Sequence, residues 1–74
     1  MAATEEQLRE VCTLLHSRGR EATPEQVQEF LDKFQARQRK GGRPYYPDSI
    51  ICKAIMANEK MITVIMHLHF GDAL

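Results

Sequence analysis

Residues 47–70 read PDSIICKAIMANEKMITVIMHLHF, and the fold turns on what this stretch becomes. Pro47 and Asp48 read as the start of a helix, with Asp48 or Ser49 as its cap. From there to Phe70 no glycine or proline interrupts. Ile50, Ile51, Ala54, Ile55, Met61, Ile62, Ile65, Leu68 and the ring of His69 keep one helical stripe in register, which predicts a helix over 48–70. Asn58 falls on that stripe between Ile51 and Ile65, at a position equivalent to a heptad core site, where a buried asparagine fixes register and oligomer state. Two other readings stay open. A turn over 57–60 gives a helix-turn-helix, broken near Asn58, with that residue left-handed. Alternatively, Ile62, Val64, Met66, Leu68 and Phe70 alternate with Thr63, His67 and His69 as in a strand, which would have to pair across a dimer or onto a partner's sheet edge.

The preceding half is plainer. Thr4, followed by Glu5, Glu6 and Gln7, forms a capping box, and Leu8, Val11, Cys12 and Leu15 then recur at helical spacing, with Leu14 at the margin. Gly19 supplies a left-handed stop. The device returns at Thr23, with Pro24 at the first helical position and Gln26 completing the box, ahead of Val27, Phe30, Leu31 and Phe34. The two segments align at an offset of 19 residues, which two amphipathic helices with the same cap produce without duplication. These patterns predict helices over 4–18 and 23–40, made antiparallel neighbours by their short connection. The fold class is therefore all-α: one small three- or four-helix domain over 1–74. It has an antiparallel N-terminal helix pair, a basic turn over 41–47 and a long or broken C-terminal helix.

A chain of 74 residues has room for one domain and buries only about 60 to 65 per cent of its unfolded surface. Cys12 and Cys52 follow no export signal, so they read as reduced, buried small hydrophobes in a cytoplasmic protein. Met61 to Phe70, the longest apolar stretch, is too short to cross a bilayer and contains two histidines, so no membrane partner is expected.

Charge supplies the main hint about partners. The formal net charge is zero, yet Arg37, Arg39, Lys40 and Arg43 fall between Ala36 and Pro47 among two glycines, two prolines and two tyrosines. No carboxylate interrupts them, whereas the first 32 residues hold seven acids. A concentrated basic segment attracts phosphate locally where an evenly mixed surface does not. Glycines allow close backbone approach, arginine forks match phosphate oxygens, and Tyr45 and Tyr46 offer rings for base stacking. Gly42-Arg43-Pro44, with basic residues before it, resembles the AT-hook, which lays an arginine into a narrow minor groove; Gly41 stands where the hook has its first arginine. The run from Arg43 to Ile50 is also similar to the start of some bacterial insertion-sequence transposases, although no catalytic acidic triad fits in this chain. A solvated loop also accounts for the segment, because cations at a helix C-terminus complement its dipole.

Nothing comparable points to catalysis. His67 and His69 with Cys52 or His16 would be the metal candidates, but histidines two apart on a helix point about 200 degrees apart. Cys12 has His16 one helical turn away but no acid or oxyanion donors to complete a nucleophilic site. The expectation is no enzyme, no metal, no cofactor and no small-molecule substrate. Met56, Met61 and Met66 enrich the C-terminal segment in adaptable side chains. The first two helices offer few facing positions, so part of the stripe should stay uncovered, with Ile51, Ile55, Asn58, Met61, Ile62 and Ile65 at a subunit or core seam. The sequence reads as a small non-catalytic regulatory module, of the size encoded by phages, plasmids and bacteria. It would bind DNA or the transcription apparatus as a dimer, with Arg37, Arg39, Lys40 and Arg43 on phosphates and Tyr45 and Tyr46 stacking. The competing class is a protein-interaction adaptor or inhibitor that docks through its apolar C-terminal segment.

Overall fold

A computed structural model describes residues 2–71 and, among these, every side chain except those at 59, 66 and 68–70, and the described residues form four helices. They are α1 (Glu5–Ser17), α2 (Pro24–Lys40), α3 (Asp48–Ala57) and α4 (Glu59–Phe70). No strand occurs among the described residues, so the alternating pattern over 62–70 is carried by a helix. No helix among them is long and apolar enough to cross a membrane.

Both N-terminal capping boxes form. Thr4 Oγ1 accepts from the Gln7 amide at 3.1 Å while Gln7 Oε1 accepts from the Thr4 amide at 2.9 Å; Thr23 and Gln26 repeat the exchange at 3.2 and 2.9 Å. α1 and α2 also close alike. Arg20 N–H donates to Leu15 and Gly19 N–H to His16, as Arg43 N–H donates to Gln38 and Gly42 N–H to Arg39. This is the Schellman pattern, and it needs a left-handed residue, supplied by Gly19 at φ 80° and Gly42 at φ 69°.

The core gathers Val11 and Leu15 of α1, Val27, Phe30 and Leu31 of α2, Ile51, Cys52 and Ile55 of α3, and Ile62 and Ile65 of α4. α1 is the central element, packed against α2 on one side and α3 on the other, while α4 packs on α3. Ile65 reaches the surroundings of Val11, Leu15, Val27 and Phe30, so α4 closes over the first helix pair. The radius of gyration is 11.5 Å, and a folded chain of this length is expected near roughly 11 Å.

Several expectations are corrected. Of the two helical forms expected over 48–70, the broken one is observed, because Asn58 is extended at φ −137°, ψ 110° and ends α3. Asn58 is neither a heptad core residue nor left-handed. It is exposed, its Oδ1 accepts from Lys60 N–H at 3.0 Å, and its carbonyl accepts from Met61 N–H at 3.0 Å. A short amide side chain competes well for free amides at a helix start, which makes asparagine a better N-cap than core residue.

The cap of α3 also differs. Pro47 holds that position, its carbonyl accepting from Ile50 and Ile51, and neither Asp48 nor Ser49 caps the helix with its side chain.

The apolar stripe is largely sheltered within one copy. Ile51, Ile55, Ile62 and Ile65, read as a subunit or core seam, are core residues, and Met61 is half-buried against them. The break at Asn58 explains this: two short helices turn separate faces inward, which one straight rod would not do. Ile50 and Ala54 of the same stripe face solvent, and Leu68 and His69 lie outside the described side chains.

Candidate functional site

The basic residues are assembled by the way α2 ends. Arg37, Arg39 and Lys40 occupy its last turn, where cations complement the helix dipole. The Schellman closure then turns the backbone back on itself, so Arg43 returns toward the turn it has just left. Its Cγ and Nε lie 3.8 Å from the place a Cβ would take on Gly41. Arg39 and Arg43 share one recess of about 60 Å³ with Gln35, Gln38 and Tyr45.

All six residues expected to contact nucleic acid are exposed: Arg37, Arg39, Lys40, Arg43, Tyr45 and Tyr46. Tyr45 keeps 69 % of its surface accessible and Tyr46 47 %. Among the described residues, the four cations have no carboxylate within ion-pair distance. Ion pairs form elsewhere, among them Arg9 with Glu5, His16 with Glu21, and Lys33 with Glu29.

The base of the segment is fastened by residues that sequence reading did not single out. Gln35 is buried, and its Nε2 donates both to the Tyr46 carbonyl and, at 3.2 Å, to Asp48 Oδ1. Gln28 Nε2 donates to Asp48 Oδ2 at 3.1 Å and to Asp32 Oδ1 at 3.0 Å. Both partners of Gln35 Nε2 are acceptors, which fixes the amide orientation and leaves Gln35 Oε1 buried without a partner. The available signal was spacing: Gln35 lies four residues after Leu31, so it continues the buried face of α2 into the last turns.

Beyond Gln38 lies a second concavity. A groove of about 210 Å³ is lined by Phe34, Tyr46, Ile50, Ala54 and Met61, with Gln38 on its wall. Gln38 therefore stands between an apolar groove and a cationic recess. A larger cleft of about 340 Å³ opens between α1 and α3 at Gln7, Glu10, Lys53 and Met56, away from the basic segment.

The cysteines are poor nucleophiles here. Burial, followed by the charges of Asp48 and Glu10, pushes the Cys52 thiol up to about 11, and burial together with Glu25 raises Cys12. Both stay as thiols near neutral pH, whereas the thiolate is the reactive form. His16 Nδ1 lies 2.6 Å from Glu21 Oε1, an ion-pair partner separate from Cys12. Among the described residues no three His, Cys, Asp or Glu side chains come together as metal ligands, and the His69 side chain lies outside them.

No family model, curated protein or solved structure matches this chain.

Proposed function

We propose that this chain is a small non-catalytic regulatory module that binds nucleic acid, DNA in the first instance, through the segment joining α2 to α3. The observation that supports the reading is the grouping of Arg37, Arg39, Lys40 and Arg43. Among the described residues all four are exposed and without an ion-pair partner, beside two exposed tyrosines on a loop whose base is tied to α2. Self-neutralised cations contribute little to phosphate binding, whereas unpaired ones release counterions when they meet it.

Four phosphate contacts give a salt slope of about −3.6 on duplex DNA, so one copy binds weakly at physiological salt and appreciably only at low salt. A dimer would double the slope. Because Ile51, Ile55, Ile62 and Ile65 are enclosed within one copy, such a dimer has to use another face.

The test is a mobility-shift titration at low and moderate salt with the wild type, Arg39→Ala and Arg43→Ala. Each substitution should weaken binding across sequences and reduce the salt slope by about one. Binding that ignores both salt and substitutions would leave the reading without support.

The alternative reading is an adaptor or inhibitor that docks on an acidic protein surface. One observation favours it: the apolar groove at Phe34, Ile50 and Met61 adjoins the cations. The available apolar surface is then this groove and the exposed Met56, since the rest of the C-terminal stripe that is described lies mainly in the core.

A further inference from the structure

Resting on the nucleic-acid reading, we propose that the recess between Arg39 and Arg43 and the groove beyond Gln38 together hold one nucleotide of a single strand. The phosphate occupies the recess and an unstacked base occupies the groove.

Size assigns the two parts. At about 60 Å³ the recess takes a compact group of a few heavy atoms, far below the roughly 300–1,000 Å³ of pockets that enclose a drug-sized molecule. Its lining includes Arg39 and Arg43, and an arginine guanidinium matches a tetrahedral phosphate with paired, charge-assisted hydrogen bonds. The groove at about 210 Å³ is larger and almost wholly apolar, with Phe34 and Tyr46 among its walls. A base needs such walls, because every base has a π-face and stacks on aromatic side chains.

Connection between the two parts makes them one site. Gln38 lines both, and Tyr45 and Tyr46, consecutive in the chain, line the recess and the groove respectively. The Gln38 amide carries a donor and an acceptor, which suits the edge of a base seated beside it. Arg37 and Lys40, exposed on the same last turn of α2, are placed for neighbouring phosphates.

Strandedness follows from access. A base inside a duplex is stacked and paired, and taking it out costs a few kcal/mol, whereas in a single strand it is already available. The site therefore selects single strands over duplex. An acidic peptide carrying an apolar side chain would meet the same charges but has no need of base-sized aromatic walls.

Fluorescence anisotropy with three labelled 12-mers at low salt tests this: oligothymidylate, an abasic strand of equal length, and a mixed-sequence duplex. Oligothymidylate should bind about tenfold more tightly than the abasic strand, since the two share phosphates and differ in bases. Tyr46→Ala should bring oligothymidylate down to the abasic value without changing abasic binding, and Arg43→Ala should weaken both. Ala54→Leu, at an exposed helical position on the groove wall, should act as Tyr46→Ala does. Its circular dichroism shows whether the fold is kept. Equal affinity for abasic and base-bearing strands, or tighter binding of duplex, overturns the single-nucleotide site while leaving nucleic-acid binding intact. Failure to bind any of the three removes both, and leaves the acidic-surface adaptor as the reading.

Discussion

Gln35, in the penultimate turn of α2, donates through Nε2 to the carboxylate of Asp48 at the first position of α3, with 3.2 Å between them. The same nitrogen donates to the Tyr46 carbonyl, and Gln28 holds the other oxygen of Asp48 at 3.1 Å. One amide thus ties the end of the basic loop and the beginning of the next helix to α2. Substituting Gln35→Ala leaves a carbonyl and a carboxylate oxygen short of a donor, which should cost about 1–3 kcal/mol. Urea unfolding of Gln35→Ala, Asp48→Ala and the double variant should show strong non-additivity, because each single change removes the shared contact.

Asn58 should behave as a helix cap. Asn58→Ala removes the acceptor for Lys60 N–H and should cost about 0.5–2 kcal/mol, with Asn58→Asp close to the wild type. Denaturant midpoints check this. An alanine that stabilised the chain would mean that α3 and α4 prefer to run on as one rod.

Gly42 carries φ 69°, and nothing lies within 4 Å of the position its Cβ would take. Steric room is therefore not the issue at this position; backbone conformation is. Gly42→Ala should cost about 1–2 kcal/mol through the left-handed penalty and displace the Schellman closure that returns Arg43 toward Arg39. Nucleic-acid affinity should then fall further than thermal stability alone accounts for, which anisotropy measured well below the melting temperature will show.

Stability should decline at alkaline pH through Cys52. Its thiol is pushed from 9.0 to about 11 in the folded chain, so above pH 9 the unfolded chain releases a proton that the native chain keeps. The contribution is fully present below pH 9 and is lost as pH rises toward 11, amounting to roughly 2–3 kcal/mol. The slope of unfolding free energy over this window should be shallower in Cys52→Ala than in the wild type.

Legibility from sequence followed the range of the interactions. The two threonine-glutamine boxes and the Gly19 stop involve residues at most a few positions apart, and each forms as read. Asn58 was legible in principle: an asparagine followed by Glu59 and an apolar residue is a helix-start signal, but the uninterrupted stripe around it favoured a core role. The covering of Ile55, Ile62 and Ile65 depends on that break, which sequence reading left open beside a continuous helix. At the candidate site the exposed cations and tyrosines were visible as composition. Gln28, Gln35 and Gln38 were not, because their roles arise from contacts across 11 to 20 positions or from concavities that exist only once α2 and α3 meet.

The amide latch at Gln35 sits at the foot of the α2–α3 connection, while positions 41–45 beyond it are exposed and contribute no side chain to the core. Apart from Gly42, whose left-handed backbone closes α2, the tip is thereby decoupled from the scaffold, and its arginines and tyrosines are replaceable without disturbing the core beneath. Designers inherit the same freedom to graft new recognition segments between the two anchor points.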